Sequence, residues 1–286
     1  MRTVHSADGT PIAVEWSGEG PPVVLVAGAL CDRGSTRPLA EALAGRFRVA
    51  GYDRRGRGDS GDTPPYAVER EVEDLAAVLA DAGGTASVYG HSSGAGLVLH
   101  AAARGLPIDR LVLHEPPYGL GGEEELRDAR EYARRLRAVL AEDRNGDAVE
   151  LFMTTVGMPP ELVRQQRAEP WWPRLEALAP SLAYDSAVMG DVDGGAIPAG
   201  LLGAAAMPAT VLGGGASPEW MLEAGRRMAA AMPRGRFQVL EGQDHNVDPS
   251  VLAPVLTELL APGGPPGAPA PRPRRRSAWR SSGPRR

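Results

Sequence analysis

Five residues, Gly90-His91-Ser92-Ser93-Gly94, lie between the apolar run Ala86-Ser87-Val88-Tyr89 and the small-residue stretch from Ala95 to Arg104. The order is strand, G-x-S-x-G, helix. A serine at the centre of such a turn is forced onto a sharp strand-to-helix corner that pushes its hydroxyl outward. The two glycines are required because a Cβ at either would collide with the neighbouring strand or helix. Ser92 is therefore the candidate nucleophile, and Ser93 is expected to matter through its backbone N–H and not its side chain. In a chain with 36 glycines the pentapeptide alone is weak evidence, and its flanks carry the argument.

The elements that must position Ser92 follow from the hydrophobic pattern. Pro11 to Trp16 alternates as an antiparallel strand does, and Pro22 to Ala27 is a continuous apolar run of the kind buried on both faces. A strand over Arg46–Tyr52, a helix over Val68–Ala82, the turn with its own strand and helix, and a strand over Arg110–His114 come next. This alternation predicts an α/β fold with a mostly parallel sheet and helices on both faces. From Gly119 to Pro208 the periodicity is helical, over Glu123–Asp143, Asp147–Val156, Pro160–Ala168 and Trp171–Met189, so an inserted helical lid is expected over residues 119–208. Strands over Ala209–Leu212 and Arg236–Leu240, with helices over Pro218–Met232 and Pro249–Leu260, complete the sheet. Residues 1–118 and 209–261 thus form two parts of one core.

Composition bounds the function. With 286 residues, 43% of them hydrophobic, the chain can bury a full core, and no apolar run reaches the roughly 18 residues that would span a bilayer. The N-terminus lacks the apolar segment of a secretory signal and the single cysteine, Cys31, cannot form an internal disulfide, so a cytoplasmic location is expected. Lysine is absent, which excludes Schiff-base and P-loop chemistry. Residues 262–286 hold seven arginines and no acid and are expected to be a disordered tail without a role in chemistry, able at most to touch an anionic surface. A small-molecule substrate is the expected partner, with no cofactor, metal, nucleic acid or membrane.

With these residues in view the chain resembles the α/β-hydrolase superfamily, from Thr3 to Leu260. Tyr52-Asp53-Arg54-Arg55-Gly56-Arg57-Gly58-Asp59-Ser60 is similar to the loop after the fourth strand in that family, and Glu241-Gly242-Gln243-Asp244-His245 to the loop that delivers the catalytic histidine. The family's chain order of nucleophile, acid and histidine is obeyed by Ser92 and His245. On such a fold His245, on a polar loop past a strand's C-terminal end, is the best base. His91 sits inside the turn, His100 in the next helix, His5 on the N-terminal edge, and His114 at a strand end as a satisfied wall residue. The resemblance implies an oxyanion hole made of the Ser93 and Ala29 N–H groups, with Leu30 as the fallback donor. The acid's commonest place, after the strand that follows the lid, is held by Ser217, which cannot offset an imidazolium charge. The resemblance implies Glu115 as the leading substitute, because it directly follows the strand Leu111–His114, the position from which some family members take their acid, and Pro116-Pro117 fit by fixing its backbone, with Glu219 or no charged partner as alternatives.

The resemblance then implies a serine hydrolase working through an acyl-enzyme. The alternatives are a ligand-binding or non-hydrolytic member, or haloperoxidase-like or C–C bond hydrolysis on the same constellation. Leu30, Met153, Trp171 and Trp172, with Phe152, Met158, Tyr184 and Met189, are expected to line an apolar pocket for a small to medium ester, lactone or thioester. Arg54, Arg55 and Arg57 are expected to pair with Asp53, Asp59 or Asp62 rather than with an acidic ligand.

Overall fold

A computed structural model of the chain describes residues 1–191 and 194–262. The expected disordered tail falls outside these, apart from its first residue. In chain order the elements are β1 (Arg2–His5), β2 (Pro11–Ser17), β3 (Pro22–Val26), α1 (Arg33–Leu43), β4 (Arg48–Tyr52), α2 (Val68–Asp81), β5 (Ala86–His91), α3 (Ser93–Ala103) and β6 (Ile108–His114). A helical insertion follows: α4 (Glu123–Ala141), α5 (Asn145–Thr155), α6 (Pro160–Gln166), α7 (Trp172–Leu178), α8 (Leu182–Val188) and α9 (Ala199–Ala204). The chain then returns to the sheet with β7 (Ala209–Gly214), α10 (Glu219–Ala231), β8 (Gly235–Leu240) and α11 (Pro249–Leu260).

Among the described residues eight strands form one sheet in the order β1-β2-β4-β3-β5-β6-β7-β8, with the β1–β2 and β2–β4 pairs antiparallel and the remaining pairs parallel. Successive residues of a strand point to opposite faces, and β3 shows why its run is uniformly apolar. Val24 and Val26 enter the core beneath α2, α3 and α10, while Val23 and Leu25 enter the core beneath α1 and α11. From β3 the chain runs outward to β4 and returns to β5 on the other side, so the crevice between the ends of β3 and β5 is the switch point where ligands meet such sheets.

The differences from the pattern reading have local causes. The sequence gives no sign of β1, an exposed edge strand, or of α1, which carries Gly34 and Pro38 and buries only Leu39, Ala40 and Leu43. The single helix expected over Trp171–Met189 is three pieces, α7, a 3-10 turn over Ala179–Ser181, and α8. Pro180 lacks the N–H and its ring obstructs a continuous helix there. The ends of the insertion are clipped together, with the Gly119 N–H donating to the Gly195 carbonyl at 2.8 Å and the Ile197 N–H to the Gly119 carbonyl at 3.2 Å.

α3 approaches β3 through Gly94. A Cβ there would stand 2.5 Å from the Ala27 carbonyl oxygen and closer still to that of Val26. Both obstacles are backbone and cannot swing away. Gly94→Ala should therefore lower the unfolding free energy by about 1–3 kcal/mol in urea titrations. Gly203→Ala in α9, where a Cβ would meet nothing within 4 Å, should be neutral or stabilising by up to about 1 kcal/mol.

Candidate active site

Ser92 follows the last residue of the central strand β5 with φ 56° and ψ −126°, and its carbonyl accepts the Ala95 N–H at 2.9 Å in the first turn of α3. Its own N–H donates to the His114 carbonyl at the end of β6, also at 2.9 Å. Two glycines make this corner possible besides Gly94. A Cβ on Gly90 would lie 2.7 Å from the Ala95 Cα, and one on Gly28 would lie 2.9 Å from the Ser92 Cβ, so the loop after β3 lies directly against the serine.

His245 follows β8. Its Nδ1 lies 2.7 Å from Glu115 Oε2, and the other carboxylate oxygen, Oε1, accepts the Gly214 N–H at 2.6 Å. Glu115 is the residue after β6, sits at φ 44°, and has only 1% of its side chain exposed. Burial alone would raise its pKa, but the hydrogen bonds from His245 and from the Gly214 N–H, with the Ser217 hydroxyl close by, outweigh it and hold the carboxyl at about 2. An ionised carboxylate only accepts, so His245 carries a proton on Nδ1, and in the neutral imidazole the lone pair is then on Nε2. The Ser217 hydroxyl, buried beside this carboxylate, makes no regular hydrogen bond of its own.

His91 holds the histidine loop to the elbow. Its Nε2 lies 2.9 Å from the His245 backbone carbonyl, which can only accept, so this nitrogen carries a proton, and the two rings are 4.6 Å apart. Burial, with the neighbouring His245 charge second, pushes the pKa of His91 down to about 4. His114 has Nδ1 at 2.7 Å from the Tyr89 hydroxyl, but its buried Nε2 has no partner, so it is only half satisfied. Burial pushes its pKa down to about 3.

The family profile described as the alpha/beta hydrolase family matches residues 23–255, which include Ser92, Glu115 and His245. The chain belongs to the alpha/beta hydrolase family. An alpha/beta hydrolase structure from Sphaerobacter thermophilus DSM 20745 is 53% identical, superimposes with a TM-score of 0.82, and covers 91% of this chain and 100% of its own. A thermophilic esterase structure from Thermogutta terrifontis is 26% identical with a TM-score of 0.63, covering 85% of this chain and 90% of its own. N-formylmaleamate deformylase from Pseudomonas putida (strain KT2440) is 34% identical over 108 residues, 36% of this chain. The chain spans only 36% and 40% of the lengths of two curated relatives it matches.

Within this alpha/beta hydrolase, several expected residues lie elsewhere. Glu219 is exposed on α10 and pairs with Arg226 at 2.7 Å, not with His245. Trp172 is 2% exposed inside the core of the insertion, its indole N–H donating to Glu176 at 2.8 Å, while Trp171 is 45% exposed. Leu30 and Met153 pack with Ala29 against that same insertion core. Tyr184 stacks on Tyr66 at 3.8 Å and donates to Asp62, and Met189 packs on the core at Gly96. His100 donates to the Val188 carbonyl of α8 at 3.0 Å.

The arginine partners also differ from expectation. Asp53 and Asp59 pair with Arg33; Arg55 pairs with Asp74 and Asp8; Arg54 pairs with Glu71 and Asp185; and Arg57 pairs with Asp185. The Ser93 side chain is not idle, since its hydroxyl donates to Asp185 at 2.7 Å. Among the described residues no cluster of three His, Cys, Asp or Glu side chains could hold a metal ion, and no helix is long and apolar enough to cross a membrane.

His91 and His114, the two histidines depressed furthest, predict an acid limit to stability. In the unfolded chain they protonate near pH 6.5, in the folded one near 4 and 3, so the stability from keeping them neutral is fully present above about 6.5 and is lost as pH falls through those values. His114→Gln should flatten the fall of the urea midpoint between pH 6.5 and 4. An unchanged slope would assign the acid limit to other groups.

Proposed function

We propose that this protein is a serine hydrolase that cleaves a small to medium, largely apolar ester, lactone or thioester through an acyl-enzyme. The observation that carries this reading is the Glu115–His245 pair held against the elbow that bears Ser92. The Ser92 hydroxyl attacks the carbonyl carbon while the free Nε2 of His245 takes its proton, and the same imidazole then protonates the leaving group. Glu115, kept ionised, holds the imidazole in the reactive tautomer and stabilises the imidazolium. The N–H groups of Ala29 and Ser93 receive the oxyanion, since the first N–H groups of a helix such as α3 have no intrahelical partner. Water activated by His245 releases the acyl group.

With a carboxylate on His245, the serine at position 217 no longer argues for a protein without turnover. The residue types above the site favour an uncharged acyl group. Ala29 and Leu30 abut the apolar insertion core with Phe152 and Met153, and the three arginines of the loop after β4 are all committed to carboxylates. The insertion would then act as the lid. The names of the relatives, an esterase and a deformylase, fit acyl transfer to water.

Ser92→Ala should abolish hydrolysis of p-nitrophenyl butyrate and labelling by a fluorophosphonate. Glu115→Gln preserves shape but removes charge, and should lower kcat by up to about 10⁴-fold with KM nearly unchanged, as for the equivalent change in a serine protease. Glu219→Gln should be silent. A folded Glu115→Gln enzyme with native kcat would remove Glu115 from the mechanism.

A further inference from the structure

Four charged side chains lie almost wholly buried between the insertion and the core: Arg54, Arg57, Glu71 and Asp185. Asp185 belongs to α8 of the insertion. A single one of its oxygens, Oδ1, accepts from Arg54 Nη1, Arg57 Nη2 and the Ser93 hydroxyl, each at 2.7 Å. Arg54 is also held by Glu71 of α2 through Nε at 2.6 Å and Nη2 at 2.8 Å. Apolar side chains of equal volume would serve stability as well as a buried ion cluster does, so the geometry it enforces is the better account of it.

That geometry concerns the loop after β3. Arg57 Nη1 donates to the Gly28 carbonyl at 2.6 Å and to the Cys31 carbonyl at 3.3 Å, bracketing Ala29 and Leu30. The Gly28 carbonyl and the Ala29 N–H belong to one planar trans peptide group and point in opposite directions, so a guanidinium on the carbonyl fixes where the N–H aims. It also polarises that N–H as a donor. Leu30, at φ 53°, is a non-glycine residue held in the left-handed region, a strain that persists only where its surroundings impose it. The second oxyanion donor, the Ser93 N–H, belongs to the residue whose hydroxyl is bonded to the same Asp185 oxygen.

We propose that Asp185 is a positioning residue that ties the helical insertion to both backbone donors of the oxyanion hole, one through Ser93 and the other through Arg57. The proposal rests on the serine-hydrolase reading above. When α8 is seated, both donors are set; when it is displaced, both lose their anchor, so the geometry for the oxyanion depends on the insertion being docked.

The test compares wild type, Asp185→Asn, Ser93→Ala and Glu115→Gln on a p-nitrophenyl ester and on the matching thionoester, whose sulfur an oxyanion hole receives poorly. Asp185→Asn should lower kcat about 10- to 10³-fold, the range for loss of one oxyanion donor, with KM changed less than threefold, and the ester-to-thionoester rate ratio should fall with it. Ser93→Ala, which removes only a hydroxyl and keeps the ion pairs, should lower the ratio to a smaller extent. It decides the matter if Asp185→Asn does not fold. Glu115→Gln should leave the ratio at the wild-type value, because its defect lies in the base. Unchanged kcat and ratio in folded Asp185→Asn or Ser93→Ala, with only the melting temperature reduced, would make the cluster structural and overturn the proposal. A wild-type protein that neither turns over the ester nor reacts with fluorophosphonate at Ser92 would instead overturn the hydrolase reading on which it rests.

Discussion

The contact on which the site depends is between backbones, where α3 meets the end of β3 at Gly94. With no side chain there, the first turn of the helix rests on the carbonyls of Val26 and Ala27. That one approach sets three things together: the corner at Ser92, the direction of the Ser93 N–H, and the start of the loop that carries Ala29. Gly28 completes it by resting against Ser92 itself. Backbone has no rotamers to exchange, so these relations are fixed more tightly than side-chain packing alone would fix them.

Among the described residues four non-glycine residues have positive φ, and three of them, Leu30, Ser92 and Glu115, stand at the proposed reaction centre. Each such conformation costs about 1–3 kcal/mol and survives because neighbouring bonds impose it. The Ser92 and Glu115 N–H groups donate to the His114 and Leu212 carbonyls, extending the sheet's ladder one residue past each strand end. Leu30 lies between the two carbonyls that Arg57 grips. The sheet thus restrains Ser92 and Glu115, while the buried charges restrain the loop.

The legible parts of the sequence were those written locally. The elbow needs five consecutive residues, the strands β3 and β5 are uninterrupted apolar runs, and the position of Glu115 before two prolines marks a strand end. What was not legible depends on distant partners. Arg54 and Arg57 sit beside Asp53 and Asp59 in sequence, yet the carboxylate they share is Asp185, 131 and 128 residues further on. Nothing near Ser93 announces that its hydroxyl has an acceptor 92 residues away. Trp172 carries the composition of a pocket wall, but whether an aromatic faces a ligand or its own helices is settled by tertiary packing, which periodicity does not encode.

The pairing of His245 with Glu115, the proposed acid, has a simple geometric basis. β6 and β7 are adjacent and parallel, with His114 opposite Leu212, so the residue after β6 ends beside the glycines that close β7. A carboxylate expected to come from the loop after β7 can therefore come from one strand over, at nearly the same height on the sheet. Glutamate has the extra methylene needed to lean across. Gly214, whose Cβ would lie 2.6 Å from the Gln243 carbonyl oxygen, lets the histidine loop close down onto β7 while its own N–H donates to Glu115. The glycine-rich stretch that would otherwise lead to an acid becomes the acid's support. Ser217, at the vacated position, is buried beside the carboxylate with a group small enough to leave room for it and polar enough to favour its charge. The substitution moves the anchoring strand and leaves the His245 side of the pair its ordinary partner: a buried, ionised carboxylate on Nδ1.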